Sequence, residues 1–154
     1  MKQNQDLLDQ LQQLTAELRS QFFQQLGPGL PGLTAMHGRL LLMIARTAGT
    51  NAQQLSELLR RDKAQITRLL NDLQQAAFVL RQPDPVDGRR QLLLLSEQGQ
   101  QLAAQLTIKK RHIASKMLTG LTKDQQQQLT GLLAQMYQNL ITTEIQTEDT
   151  QQAH

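Results

Sequence analysis

Apolar residues recur at intervals of three and four along the N-terminal segment of the chain. Leu7, Leu11, Leu14, Leu18 and Phe22 form a stripe with the period of an amphipathic helix. Glycine and proline are concentrated in residues 27–32 and end this pattern. The chain therefore begins with a helix whose apolar face needs another surface to cover it.

Three shorter helices are predicted next, each preceded by a residue that can cap it. These caps are Thr34, Asn51 and Asp62. Gln54 and Gln65 stand three residues after the last two caps, which is a variant of the capping box. Because only two arginines separate these last two helices, the pattern predicts a helix-turn-helix.

The hydrophobic period changes after the fourth helix. Residues 79–82 and 91–95 are short apolar-rich runs on either side of a loop with two prolines and an Asp-Gly pair. This pattern predicts a β-hairpin. Ser96 and Thr122 then begin two long helices, and the second carries an apolar stripe from Leu129 to Leu140.

The predicted fold is mainly α with a small β-hairpin wing. We expect residues 33–99 to form a winged helix-turn-helix domain, with dimerisation helices in residues 1–32 and 100–148. Residues 149–154 are expected to be a frayed tail. The apolar stripes of the first and last helices are too extensive for one small domain to cover, so we expect a two-fold homodimer.

Composition excludes several classes of protein. The chain has no cysteine, so disulfides, thiolate metal sites and thiol nucleophiles are ruled out. No apolar run approaches the roughly 18 residues of a membrane span, and the polar N-terminus lacks a signal-peptide core. We therefore expect a soluble cytoplasmic protein with no membrane partner.

No motif indicates an enzyme. The sequence contains no glycine-rich phosphate loop, no nucleophile elbow and no clustered carboxylates. His37, His112 and His154 share no ligand spacing, so neither a metal site nor a cofactor is expected. The remaining alternatives to DNA binding are a non-enzymatic helical protein-interaction module and a ligand-binding protein without operator specificity.

The fourth helix and the hairpin carry the signal for DNA binding. The helix buries Ile66, Leu69 and Leu70 on one face, and its opposite face has the side chains that read base edges and phosphates. We predict that the DNA-binding residues of this helix are Lys63, Ala64, Gln65, Thr67, Arg68 and Asn71. Those of the hairpin are Asp87, Arg89 and Arg90. Taken singly, the helix could be an ordinary solvated surface, and the hairpin arginines could merely protect an edge strand.

Four stretches together resemble the MarR family of transcriptional regulators. They are Leu33-Thr34, the run D-K-A-Q-I-T-R-L-L-N-D-L from Asp62 to Leu73, D-P-V-D-G-R-R from Asp84 to Arg90, and L-S-E-Q-G from Leu95 to Gly99. Each is weak alone, but their order and spacing are specific. Two departures occur: Ala76-Ala77-Phe78 stands where the family often has a glycine, and Ser96 replaces a threonine.

The resemblance implies a DNA-binding regulator, expected to be a repressor, that acts as an obligate homodimer. It implies that residues 64–75 enter the major groove of double-stranded DNA and that the tip of the wing, residues 87–90, enters the minor groove. It also implies a wing anchor in which Asp62 pairs with Arg89.

The resemblance further implies a cleft that can hold a small anionic or phenolic effector. Candidate lining residues are Phe22, Met36, His37, Arg39 and Met43. The alternative is that the apolar members belong to the core and that His37 and Arg39 are an ordinary polar pair.

Overall fold

The computed structural model describes the backbone of residues 2–24, 32–47 and 49–151, and the side chains of residues 4–22, 32–47 and 49–142. Within these residues the chain is mostly helical with one antiparallel hairpin, which confirms the predicted fold class. The elements are α1 (Lys2–Gln24), α2 (Ala35–Arg46), α3 (Ala52–Leu59), α4 (Lys63–Gln75), β1 (Val79–Pro83), β2 (Gln91–Leu95), α5 (Glu97–Met117) and α6 (Lys123–Gln151). The glycines and prolines predicted to end the first helix, at 27–31, lie outside the described residues.

The chain divides into two compact units, residues 1–114 and 115–154. The first unit holds the hydrophobic core, to which α2, α3, α4, both strands and α5 contribute. Its most deeply buried apolar side chains are Leu40, Leu41, Leu55, Ile66, Leu70, Leu73, Val79, Leu93 and Leu106. This core includes the apolar face predicted for α4, so the opposite face of that helix remains exposed.

The helix-turn-helix forms as its caps predict. The side chain of Asn51 accepts a hydrogen bond from the Gln54 backbone N–H at 3.0 Å, and the Asn51 N–H donates to Gln54 Oε1 at 3.2 Å. Asp62 Oδ1 accepts from the Gln65 N–H at 3.1 Å and begins α4. Between the two helices, Arg60 has a φ of 48°, the left-handed conformation that lets the chain turn.

The α4 helix ends in a Schellman motif, with an alanine where glycine is usual. Ala77 has a φ of 61°. The Phe78 N–H donates to the Leu73 carbonyl at 2.9 Å, and the Ala77 N–H donates to the Gln74 carbonyl at 3.0 Å. A glycine at this position would adopt the same conformation without the steric cost of a Cβ.

The two strands pair from Val79 opposite Leu95 to Pro83 opposite Gln91. The Leu93 N–H also donates to the Thr50 carbonyl at 2.8 Å, which ties the outer edge of β2 to the segment before α3. Val79 and Leu93 are buried, so the hairpin is held by the core at its base and projects beyond it.

The start of α5 packs closely against the start of β1. Ser96 caps α5 by accepting from the Gly99 N–H at 3.0 Å, and its hydroxyl donates to the Ala77 carbonyl at 2.6 Å. A Cβ on Gly99 would overlap the carbonyl oxygen of Phe78. Glycine is therefore required at this position by the close approach of α5 to the backbone of residue 78.

The second unit contains the end of α5 and the α6 helix. Thr122 and Gln125 form the predicted capping box, with Thr122 N–H donating to Gln125 Oε1 at 2.9 Å and Gln125 N–H to Thr122 Oγ1 at 3.2 Å. Large apolar side chains of α6 are exposed, among them Leu132 at 59% and Tyr137 at 56%. The α6 helix continues to Gln151, and residues 152–154 of the expected tail lie outside the described residues.

Candidate nucleic-acid interface

The exposed face of α4 brings together most of the side chains predicted to contact DNA. One open surface is lined by Asp62, Lys63, Ala64, Thr67, Arg68 and Asn71. Thr67 is half-buried, whereas Arg68 and Asn71 are exposed. Gln65 is exposed further around the helix, in a second cavity that Arg68 also lines. Since α4 is anchored by Ile66, Leu70 and Leu73, this face is held on a rigid element.

The wing loop is closed by its own hydrogen bonds. The Asp84 N–H donates to the Arg90 carbonyl at 2.9 Å, and the Asp84 carboxylate accepts from the Val86 N–H at 2.8 Å. The Asp87 carboxylate accepts from the Arg89 N–H at 3.1 Å and lies 3.3 Å from Arg90 Nε. Both acidic side chains of the loop are thus engaged within it, which lowers their repulsion toward a polyanion.

A groove of about 510 Å³ separates the wing from the helix-turn-helix. It is lined by Lys63 at the start of α4, by Arg89 and Arg90 of the wing, and by the first turn of α3. Three cations and one acid, Glu57, therefore line the groove, and the excess of positive charge favours an anionic partner. Gln53, Gln54 and Glu57 of α3 also line it, and no local pattern in the sequence indicated their proximity to the wing.

The wing anchor differs from the one that the resemblance implies. Among the ion pairs of the described residues, none joins Asp62 to Arg89, and Asp62 acts as the cap of α4. The ion pair of the wing is instead formed by Asp87 and Arg90, because the turn of the loop folds Arg90 back onto the side chain three residues earlier. Arg89 lines the same groove as Lys63.

One residue of the exposed surface was not among the predicted site residues. Nη2 of Arg81, on β1, donates to Oδ1 of Asn71, on α4, at 2.6 Å. The strand is thereby linked to the face of the helix expected to read DNA. The sequence shows Arg81 as a polar residue of β1, but its proximity to Asn71 follows only from how the strand packs beside α4.

The candidate effector residues lie in different surroundings in the described part of the chain. His37 is buried, and its Nδ1 accepts from the Thr34 N–H at 2.8 Å, which places the hydrogen of a neutral imidazole on Nε2. That nitrogen lies 3.3 Å from the Asp72 carboxylate of α4. Phe22 and Met43 pack against the core, and Arg39 is exposed. Met36 lines a cavity of about 350 Å³ beside Arg61 and Arg68.

The described part of the chain has neither a cluster of metal ligands nor a helix suited to a membrane. No group of three or more histidine, aspartate or glutamate side chains there could hold a metal ion. No helix there combines the length and the apolar character needed to cross a membrane.

Comparison with known proteins extends these observations. Residues 32–90 match the model of the MarR family. A probable transcriptional regulator from Pseudomonas aeruginosa is 29% identical, with a TM-score of 0.67, over 82% of this chain and 92% of that one. A MarR transcriptional regulator from Methanosarcina mazei Go1 is 21% identical, with a TM-score of 0.76, over 90% of this chain and 99% of that one. FabT from Streptococcus pneumoniae, solved in complex with DNA, is 16% identical, with a TM-score of 0.81, over 91% of this chain and 99% of that one. No curated protein matches the sequence significantly.

Proposed function

We propose that this chain is a MarR-family transcriptional regulator that binds a specific sequence of double-stranded DNA, since residues 32–90 match the model of that family. The observation that carries the proposal is the exposed face of α4, where Thr67, Arg68 and Asn71 lie on one open surface. Proteins read the major groove with a helix that packs against the protein core on one face and presents polar side chains on the other. The solved complexes of FabT and of Staphylococcus aureus MepR with DNA support this use of the fold.

The wing supplies the second contact. Arg89 and Arg90 project beside Lys63 at the start of α4, so a helix in the major groove brings the wing toward the adjacent minor groove. This arrangement disfavours the alternative of a protein-interaction module, because such a module has no need for three cations around one groove.

We propose that the active form is a homodimer on a pseudo-palindromic operator. In the first unit, α1 exposes Leu7, Leu8 and Leu14, and in the second, α6 exposes Leu132, Tyr137 and Leu140. Exposed apolar side chains at helical spacing on long helices are best explained by burial against a second subunit. Two recognition helices would then contact two half-sites.

Repression released by a small anionic or phenolic effector is the mode of control that we propose. The cavity between Met36, Ile66 and Leu69 has an apolar floor and is flanked by Arg61 and Arg68. A ligand bound there would compete with DNA for Arg68. The test is whether aromatic carboxylates release the protein from its operator, and whether Met36→Phe, which fills the cavity without adding a charge beside Arg68, abolishes that release while leaving operator binding intact.

The DNA assignment is tested by two substitutions with different expected signatures. Arg68→Ala should cost about 1–3 kcal/mol on the selected operator and little on unrelated DNA, because it removes a base contact. Arg89→Ala should weaken both kinds of DNA and reduce the slope of log K against log salt by about one, because it removes a phosphate or groove contact. Binding titrations at several salt concentrations separate the two effects.

Lys110→Ala is the control, since Lys110 is an exposed cation on α5 outside the proposed interface. It should change neither the operator affinity nor the salt slope appreciably. If Arg68→Ala and Arg89→Ala both bound the operator like the unmodified protein, the assignment of α4 and of the wing would be wrong.

A further inference from the structure

The hydrogen bond between Arg81 and Asn71 joins two elements at the proposed reading surface. Its length is 2.6 Å, and both side chains are exposed. Asn71 shares its surface with Thr67 and Arg68. The bond therefore acts on a side chain positioned to meet a base, and it comes from a strand of the wing.

The chemistry of the Arg81 guanidinium determines the orientation of the Asn71 side-chain amide. A guanidinium can only donate hydrogen bonds, so the atom of Asn71 that faces Arg81 must be the carbonyl oxygen. The NH₂ group of Asn71 consequently points away from Arg81. Any other hydrogen-bond donor that approaches Oδ1 would lie next to the positive charge of the Arg81 guanidinium. Electrostatic repulsion disfavours that approach.

Taken together, the pair presents hydrogen-bond donors. Asn71 offers its NH₂ group, and Arg81 offers the N–H groups that Asn71 does not use. An asparagine that reads adenine needs both a donor for N7 and an acceptor for the N6 amino group, whereas guanine shows two acceptors, N7 and O6, in the major groove. A pair that presents mainly donors therefore suits guanine.

We propose that Asn71 and Arg81 form one composite reading unit that selects a G·C base pair in each half-site. Arg81 is a positioning residue that occupies one lone pair of Asn71 Oδ1 and places a positive charge beside the other, which shifts the preference of Asn71 from adenine to guanine. This inference rests on the proposed function, since it concerns the same α4 surface. It adds a strand residue and a base preference that the recognition helix alone does not suggest.

The test is selection of binding sites from a random duplex library by the full-length protein and by four variants. The unmodified protein should select guanine at one position of each half-site. Arg81→Met, which keeps an unbranched stem but donates nothing, should lower the preference for guanine over adenine at that position by about five-fold or more. Arg81→Lys, which can still donate to Asn71, should restore much of the preference.

The remaining variants assign the effect to this pair. Asn71→Ala should weaken selection at the same position, and Gln82→Met, an equally exposed substitution at the neighbouring strand residue, should leave every position unchanged. Thermal unfolding of each variant checks the fold, and a loss of stability alone would lower the preference at all positions together rather than at one.

The outcomes also separate this inference from the proposed function. If the unmodified protein selected no sequence, the proposed function would fail and this inference with it. If it selected a motif that Arg81→Met left unchanged, or altered equally at every position, the composite unit would be refuted while the DNA-binding function stood. Selection of adenine at the position that Asn71→Ala affects would also refute it.

Discussion

Ala77 adopts a backbone conformation that glycine adopts at lower cost. Its φ of 61° is left-handed, where a Cβ costs roughly 1–2 kcal/mol. We predict that Ala77→Gly stabilises the protein by up to about 1 kcal/mol, because relief of this strain exceeds the added flexibility of the unfolded chain. Chemical denaturation, compared at equal m-values, measures the change.

The neighbouring residue provides a matched control. Ala76 has a φ of −76° and a ψ of 4°, which any residue tolerates, so Ala76→Gly only adds flexibility. It should destabilise the protein by about 0.5–1 kcal/mol. Equal effects of the two substitutions would show that Ala77 is not strained.

Between elements, the docking of α5 onto the start of β1 depends on Gly99. Because the Phe78 carbonyl occupies the space where a Cβ would lie, Gly99→Ala must push α5 away from the strand. The Ser96 N–H also donates to that carbonyl at 3.0 Å, so the shift would strain this hydrogen bond too. We predict a loss of stability of about 1–3 kcal/mol, measured by thermal or chemical unfolding.

Gly131→Ala adds the same methyl group at a position where no neighbouring atom would clash with it. Gly131 is within α6, and a Cβ there would meet no atom within 4 Å. The substitution should be neutral or stabilise the helix by up to about 1 kcal/mol, since alanine is the better helix former. If both glycines responded alike, close packing at Gly99 would not be the reason for its presence.

The whole molecule is expected to be a dimer. Light scattering at micromolar concentration should give twice the chain mass of 17.4 kDa. Leu133→Glu places a charge in the exposed apolar stripe of α6 and should shift the mass toward the monomer and weaken operator binding. Gln138→Glu, an exposed polar position on the same helix, should leave the dimer intact. A stable monomer for the unmodified protein would contradict the proposed assembly.

The local features of this fold could be predicted from the sequence because each depends on neighbours in the chain. The period of the apolar residues located the helices, and caps such as Asn51 and Thr122 marked their starts because a helix cap bonds to backbone groups within three residues. The hairpin followed from two strand-like runs around a turn. The exposed face of α4 could be predicted from the same period, because the apolar residues fix which face is buried and the opposite face is then free to contact a partner.

Contacts between distant residues were decided by the tertiary structure alone. The family resemblance made His37 an effector candidate, and only the packing of α2 against α4 shows that its ring lies between Thr34 and Asp72. The family resemblance implied a pair between Asp62 and Arg89, whereas in the structure Asp62 caps α4 and Asp87 pairs with Arg90. The bond from Arg81 to Asn71 and the approach of Gly99 to Phe78 likewise join residues on different elements. Hydrogen bonds and close contacts act over a few ångströms, and only the packing of the core brings such groups within that distance.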